Sequence, residues 1–553
     1  MTDNNKIVVI GLDAATLDLI RPWAAEGRLP VLDRLMKTGA YGELQSVANT
    51  NSAPAWTSFA TGQNPGKHGI YYFDEPIPGT YSRRYLNGSF RKTRAVWDYL
   101  SAAGRRVGVI NVPLSYPAEQ VNGFMISGLD APGIGKPGFS HPAGLIDDLS
   151  SRLGDYIIEP GLPGMIKAGK KREAVDRLMT TIAQRRIYAE HLMKNREWDV
   201  FIVVFTAVDL AQHFFWKDMD PGHPDHDPEQ AEEFGDTIFR VYRELDATVG
   251  SLLKTAGKAH ALLLSDHGGG ANQRGAEFIN SWLAANDFLA KAGKGRLKNG
   301  LFKGLDKAYR LFDRSFSREF KQKLADRLPG LRSKVESATC FKDIDWTATR
   351  AYGDGARDEI WINLKGREPG GIVEPGEEYE NLRKEIIQGL LNCRDRGTGR
   401  PAVRRVSRRE EIYHGPHLDN APDLYIRWNT DIVLSGLDSG NKTEAAPPPL
   451  QSGGHRDNGI FLLSGPGVQP GRELSNAEII DVTPTLLYLS GIDIPEDLDG
   501  KVLAEAFDTG FYDSRPPTYR NIETRALKRD TMDYSRKEAD KVARSLKDMG
   551  YID

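Results

Sequence analysis

The chain has 553 residues, of which 40% are hydrophobic and 27% charged, and its formal net charge is −3. This length fits one large α/β domain with insertions or two average domains, and the balanced charge gives no reason to expect sequence-specific nucleic acid as a partner. The chain has only two cysteines, which excludes a disulfide framework and fits a reducing compartment.

The N-terminal apolar run, Lys6–Ile10, is too short for a secretory signal and has no small-residue cleavage site after it. The longest apolar stretch, Val200–Val208, is about half as long as a membrane-spanning helix must be. We therefore expect a soluble, cytoplasmic protein.

Short β-branched runs recur along the chain, and helical patterns such as Arg172–Asn195 and Ala231–Ala256 lie between them. Buried strands that alternate with helices are typical of a mostly parallel sheet covered on both faces. The runs predicted as strands are Lys6–Ile10, Val107–Ile110, Val200–Phe205, His260–Leu264 and Ile460–Leu463.

Three aspartates follow three of these predicted strands. Asp13 comes after the first run, Asp209 after the third and Asp266 after the fourth. Ligands of parallel sheets bind beyond the carboxyl ends of the strands. The pattern therefore predicts that these carboxylates share one active-site rim.

Histidines accompany two of the aspartates. His267 follows Asp266 and precedes three glycines, which permit the sharp turn that lets both side chains reach one metal ion. His213 lies four residues after Asp209, so the two share a helix face, although a capping aspartate and a partly buried histidine would give the same pattern. His455 would complete a set of two histidines and one aspartate that leaves metal positions open for substrate.

Ser52 opens the segment Asn51–Trp56, which reads as a turn followed by a helix. A serine in this position is most often an N-cap. A helix N-terminus also favours an alkoxide and phosphoryl oxygens, so Ser52 is equally a candidate nucleophile.

Residues 290–338 combine an excess of lysine and arginine with aromatic residues at helical spacing. They would form either a helical cap with a solvated basic face or a surface for weak contact with anionic lipid. We predict a catalytic domain formed by residues 1–289 and 339–510, a basic helical cap of residues 290–338, and a polar tail of residues 511–553 with a docking helix.

Taken in order, these motifs resemble the alkaline phosphatase superfamily, specifically its type I phosphodiesterase/nucleotide pyrophosphatase branch. Val8–Asp13 is similar to the opening strand and first metal aspartate, Ser52–Trp56 to the nucleophile helix, and Asp481–Leu487 to the closing helix. The resemblance implies an alkaline-phosphatase-like sandwich of a mostly parallel sheet between helices, with a helical cap insertion.

The resemblance also implies two divalent metal ions, Zn²⁺ or alternatively Mn²⁺. One ion would be held by Asp13, Asp266, His267 and the nucleophile Ser52, and the other by Asp209, His213 and His455. The implied activity is phosphodiester or nucleotide pyrophosphate hydrolysis through a phosphoserine intermediate, acting on a small phosphoester or a lipid headgroup.

This chain departs from the family pattern at the residue that orients the phosphate, because Phe73 stands where relatives often place an asparagine. Lys67, His68 and Arg91 are the substitutes we consider. Phosphomonoesterase and phosphonate hydrolase activities stay open, whereas a sulfatase is disfavoured because Trp56 replaces the required arginine. A non-enzymatic alternative is a metal-stabilised protein that binds membrane surfaces.

Overall fold

A computed structural model describes residues 6–292, 344–355, 357–438, 450–525 and 531–549. The strands are β1 Lys6–Leu12, β2 Ala40–Gln45, β3 Asp74–Pro76, β4 Arg83–Tyr85, β5 Val107–Ile110, β6 Gly123–Ile126, β7 Ser140–His141, β8 Val200–Phe205, β9 Ala259–Leu264, β10 Gly268–Ala271, β11 Ala351–Tyr352, β12 Glu359–Ile362, β13 Arg394–Asp395, β14 Val403–Arg408, β15 Leu424–Trp428, β16 Leu437–Asp438, β17 Gly453–Arg456, β18 Asn458–Ser464, β19 Arg472–Glu478, β20 Ile494–Pro495 and β21 Tyr519–Arg520.

Within the same residues, none of the helices is long and apolar enough to cross a membrane. The α-helices are α1 Leu17–Ala25, α2 Pro30–Thr38, α3 Ser52–Thr61, α4 Pro65–His68, α5 Val96–Ala102, α6 Leu145–Leu153, α7 Leu162–Lys167, α8 Lys171–Asn195, α9 Ala207–Met219, α10 Pro228–Phe234, α11 Thr237–Ala256, α12 Ile279–Ala285, α13 Glu377–Leu391, α14 Arg409–Ile412, α15 Val482–Leu489, α16 Thr509–Ser514 and α17 Arg536–Met549.

Nine strands form the central sheet in the order β19-β2-β18-β9-β1-β8-β5-β6-β7. The five neighbours β9, β1, β8, β5 and β6 pair in parallel, whereas β18 and β7 run antiparallel to their neighbours. All five predicted strand runs belong to this sheet. The α/β class and the mostly parallel sheet between helices are therefore confirmed.

Alternate residues of the central strands serve two separate hydrophobic cores. In β1, Val8 and Ile10 face one helical layer, while Ile7 and Val9 face the other. Successive side chains of a strand point to opposite faces, so a strand buried on both sides must be apolar throughout. This explains why the strands appear in the sequence as continuous apolar runs.

One predicted helix is wrong in its extent. The pattern Ala231–Ala256 predicted a single helix, but the structure has α10 and α11 separated at Gly235 and Asp236. The chain turns at these two residues, which the apolar periodicity on either side does not reveal.

A second, smaller unit follows β10 in the chain. We call residues 276–292 and 344–437 the small lobe and the rest of the described chain the large lobe. The small lobe has an antiparallel sheet in the order β11-β12-β15-β14, and α12 and α13 pack on it to form a core of its own. It lies between β10 and β17, which pair with each other.

The C-terminal helix α17 buries Val542, Leu546 and Met549 against the core of the large lobe. Most of the predicted basic cap, residues 293–338, lies outside the described residues, and so does most of the loop before His455. The division into catalytic domain, cap and tail stays a prediction, as does membrane contact through residues 290–338.

Candidate active site

The three aspartates meet at one edge of the central sheet. Asp13 directly follows β1, Asp266 follows β9, and Asp209 lies in the first turn of α9 after β8. Strands β9, β1 and β8 are adjacent and parallel, so their carboxyl ends lie side by side. All three carboxylates are buried.

Ser52 is the first residue of α3, and its side chain is fully buried. The helix cap is its neighbour Asn51, whose side-chain oxygen accepts a hydrogen bond of 3.1 Å from the Ala53 N–H. Ser52 is therefore not needed as the cap. Its Oγ lies 3.0 Å from Nε2 of His267.

His455 reaches the site on a two-stranded ribbon formed by β10 and β17, in which it lies opposite Gly269. Helix α9 packs directly against this ribbon. A Cβ at Gly453 would lie 2.1 Å from the backbone oxygen of Gln212, so only glycine permits this approach. The ribbon thus brings His455 beside His213 of α9.

All three histidines are oriented by backbone carbonyls. Nδ1 of His213 donates to the Gly453 oxygen at 3.0 Å, and Nδ1 of His455 donates to the Thr50 oxygen at 2.6 Å. Nδ1 of His267 donates in the same way to its neighbour, the Gly268 oxygen, at 3.0 Å. In the neutral imidazole, each Nε2 is then left with a lone pair that faces the site, as a metal ligand requires.

The distances divide the seven residues into two sets. Oδ1 of Asp209 lies 3.1 Å from Nε2 of His213 and 3.4 Å from Nε2 of His455, and the two Nε2 atoms are 3.0 Å apart. Three ligands around one ion at bond lengths of about 2.0 Å would be roughly 3.3 Å apart. This set therefore has the spacing of three ligands of one metal ion.

The second set surrounds Ser52. Nε2 of His267 lies 3.3 Å from Oδ2 of Asp266 and 3.7 Å from Oδ1 of Asp13. The rings of His267 and His455 stack with centroids 3.7 Å apart, so the two sets adjoin. The structure thus brings together all seven residues singled out in the sequence.

The charges of the site call for cations. In the described part of the chain, no lysine or arginine forms an ion pair with Asp13, Asp209 or Asp266, and each has one buried oxygen without a hydrogen-bond donor. Burial and the nearby Asp266 raise the pKa of Asp13 well above its ordinary value, and burial raises the pKa of Asp266 to about 7. Metal cations would relieve this crowding of negative charge.

The residues considered for phosphate binding are engaged elsewhere. Lys67 pairs with Asp499 at 2.7 Å, and Arg91 pairs with Glu119 at 2.8 Å. Nδ1 of His68 accepts the Ile70 N–H, so its Nε2–H donates to Ser58 Oγ at 2.9 Å. These contacts give all three residues structural roles in place of phosphate binding.

The sequence analysis missed the wall of the site that the small lobe contributes. Arg427 of β15 lies with a guanidinium nitrogen 3.4 Å from Oγ1 of Thr50, two residues before the serine. Thr50 has a positive φ of 47°, which is uncommon for a β-branched residue and marks a constrained turn. No sequence pattern signals either feature.

A serine at a helix N-terminus beside two adjoining sets of aspartate and histidine defines a candidate hydrolase of the metal-assisted type. The model of the type I phosphodiesterase/nucleotide pyrophosphatase family matches residues 7–446, so the chain belongs to this family. The resemblance seen in the motifs is thereby confirmed, and the protein is a hydrolase that acts on phosphoester bonds. No curated protein matches the chain.

Solved structures similar to this chain include phosphonoacetate hydrolase from Sinorhizobium meliloti 1021 in complex with phosphonoacetate. It is 15% identical, with 88% of this chain and 95% of that chain covered and a TM-score of 0.49. Another is human ectonucleotide pyrophosphatase/phosphodiesterase 5, which is 13% identical with the same coverage and a TM-score of 0.44.

Proposed function

We propose that the protein hydrolyses phosphodiester or pyrophosphate bonds in two steps, with Ser52 as the nucleophile. The supporting observation is the position of Ser52 Oγ, which is buried at the start of α3 and lies 3.0 Å from Nε2 of His267. Because Asn51 caps the helix, the serine hydroxyl is not required as its N-cap.

We assign one divalent ion to Asp13, Asp266, His267 and Ser52, and a second to Asp209, His213 and His455, with Zn²⁺ as the first choice and Mn²⁺ as the alternative. The imidazole and carboxylate donors and the spacing of the second set support this assignment. When bound, the ions lower the pKa of the serine hydroxyl and neutralise charge on the phosphoryl and leaving oxygens.

The chain's own groups position the nucleophile and its surroundings. The N-terminus of α3 favours negative charge on Ser52 Oγ and on the phosphoryl oxygens. The indole N–H of Trp56 donates to Oδ2 of Asp13 at 3.1 Å and fixes that carboxylate. Oγ of Ser52 forms a bond to phosphorus as the bond to the leaving oxygen breaks. Water then attacks phosphorus and releases the serine.

Hydrolysis of bis-p-nitrophenyl phosphate and p-nitrophenyl phosphate by the metal-replete protein tests this proposal. Ser52→Ala should lower turnover of the preferred substrate by about four decades or more, in line with the loss of a nucleophile in other enzymes. The matched control is Ser58→Ala, a buried serine of the same helix that bonds only to His68. It should retain activity.

Each other outcome has a defined meaning. Equal rates for the wild type and Ser52→Ala would show that Ser52 is not the nucleophile. Preference for the monoester would replace the diesterase assignment with a phosphomonoesterase. Bound metal without turnover of any phosphoester would favour the non-enzymatic alternative.

A further inference from the structure

A cavity of about 180 Å³ lies between the two lobes, beside the second set of candidate ligands. His213 and His455 border it from the large lobe, and β15 borders it from the small lobe. Cavities of about 150 Å³ admit a molecule the size of benzene, so this one has room for a small substituent of a substrate.

Among the charged residues that line the cavity, four arginines outnumber two aspartates. Among the lining residues, Arg357 is fully paired, because it contacts Asp74 at 2.7 Å and Asp354 at 3.0 Å. The carboxylates of the lining are Asp457 and Asp358, and Asp358 accepts a hydrogen bond from the indole N–H of Trp428. The other lining arginines are Arg404, Arg427 and Arg456.

Two of these three arginines have no carboxylate partner in the described part of the chain. The guanidinium of Arg456 donates to two backbone oxygens, those of His455 at 3.0 Å and Ala271 at 2.6 Å. Arg404 is exposed on β14. Neither Arg404 nor Arg456 forms an ion pair within the described part of the chain. Arg427 alone has a carboxylate partner, Asp457, at 3.0 Å. The cavity therefore has excess positive charge that favours an anion.

The position of the cavity indicates which part of a substrate would occupy it. It is bordered by His213 and His455, whereas Ser52, Asp13 and Asp266 do not line it. In an in-line displacement, the leaving group departs on the side opposite the nucleophile. A substituent in the cavity would then belong to the leaving group.

We infer that this cavity binds an anionic group carried by the leaving group, either a carboxylate or a phosphate. The inference rests on the proposed function and deepens it. The substrate class is a phosphodiester or pyrophosphate whose leaving group retains a negative charge, which Arg404, Arg427 and Arg456 recognise.

Three chromogenic diesters test the inference. Phenyl 4-nitrophenyl phosphate has a neutral leaving group, phenyl 3-carboxy-4-nitrophenyl phosphate has an anionic one, and 4-carboxyphenyl 4-nitrophenyl phosphate carries the charge on the retained group. In Arg427→Gln and in Arg404→Gln, the ratio of kcat/KM for the second diester to that for the first should fall about tenfold, as expected for loss of a charge-assisted hydrogen bond. Comparing ratios cancels the intrinsic reactivity of the two phenols.

The matched control is Arg394→Gln, which removes an exposed arginine of the small lobe that does not line the cavity. Its ratio should stay at the wild-type value. Arg427→Lys, which keeps the charge, should lose less than Arg427→Gln and so separates loss of charge from loss of folding.

Unchanged ratios in both glutamine variants would overturn the inference, as would an equal fall in Arg394→Gln. A fall that affects only the diester with a charged retained group would overturn the assignment to the leaving group. Absence of turnover of all three diesters by the wild type would instead count against the proposed function, since the inference concerns only their relative rates.

Discussion

Two buried clusters of carboxylates in this molecule are neutralised in different ways. At the candidate active site, Asp13, Asp209 and Asp266 face histidines and one another. Between β3, β4 and the small lobe, by contrast, Arg83 and Arg357 lie among acidic residues and pair with Asp74 and Asp354.

In the second cluster, which we call the arginine network, the protein supplies its own counter-charge. Arg357 and Arg83 contact Asp74 at 2.7 and 3.0 Å. Burial opposes ionisation of Asp74, but the two guanidinium groups outweigh it and lower the pKa of that carboxyl. The network thus joins a hairpin of the large lobe to the small lobe through ion pairs formed within the protein.

The comparison separates a structural use of buried charge from a functional one. A fold can neutralise carboxylates internally, as the arginine network shows. At the candidate active site, three carboxylates lie close together without a lysine or arginine partner in the described part of the chain, and bound metal ions are the counter-charge that we propose for them. The two clusters should therefore respond differently to the same kind of substitution.

Between the two clusters, the larger effect is expected from Asp209→Asn, which weakens one of the two candidate ligand sets. We expect kcat/KM for the preferred diester to fall by about three decades or more, with loss of bound metal, because a neutral amide is a poor substitute for a carboxylate ligand. Steady-state kinetics and elemental analysis of the purified protein measure both quantities.

The control for this variant is Asp218→Asn, a buried aspartate on the same helix that pairs with Lys171 at 2.8 Å. It should keep the wild-type metal content. If Asp209→Asn retains both metal and activity, the distinction between the two clusters fails.

A substitution in the arginine network should lower the free energy of unfolding. Asp74→Asn removes one of the two carboxylates that Arg83 and Arg357 share, and breaking a buried pair costs about 3–5 kcal/mol. The free energy of unfolding, followed by denaturant titration, should fall by that amount while metal content stays at the wild-type value. A stability equal to the wild type would mean that the network is solvated and contributes little.

A smaller, pH-dependent effect is expected from Glu359, which lies in the network facing Arg357, Arg83, Asp354 and Tyr72. Burial raises its pKa from 4.5 to about 7, although Arg357 lowers it in part. Between these values the folded protein holds a proton that the unfolded chain has lost, so stability falls as pH rises from about 4.5 to 7 and then levels off.

Glu359→Gln removes the carboxyl group that titrates, and with it this dependence of stability on pH. Its stability relative to the wild type should increase between pH 5 and pH 8, by up to about 3 kcal/mol. Thermal unfolding of both proteins across that range provides the measurement. Parallel stability curves would show that Glu359 is already ionised at low pH.

Much of the fold and of the candidate site could be predicted, because both depend on local patterns. Buried strands must be apolar, and carboxylates that follow parallel strands must share an edge, so Asp13, Asp209 and Asp266 could be placed together before the fold was known. The i, i+4 spacing correctly placed His213 on the same helix face as Asp209. The local settings of His267, His455 and Ser52 marked them as candidate ligands and nucleophile, and the family motifs divided the candidates between two metal ions.

The features that could not be predicted depend on contacts between segments distant in sequence. The positive φ of Thr50, the approach of Gly453 to Gln212 and the position of Arg427 all arise where elements far apart in the chain meet. The small lobe was not separated from the catalytic domain, because its strands are short or partly polar, as in β14 and β15, and were not predicted as strands. Hydrophobic patterns report which residues are buried but not in which core.

The pairing of β10 with β17 has an evolutionary consequence. These two short strands hold His455 in place, and the whole small lobe is inserted in the chain between them. Because the ribbon closes the base of the insertion, the lobe can lengthen, shorten or change its surface without moving the histidine. The candidate ligands are thus anchored outside the inserted segment, whereas β15, which borders the cavity, lies within it, so the two can vary separately in sequence.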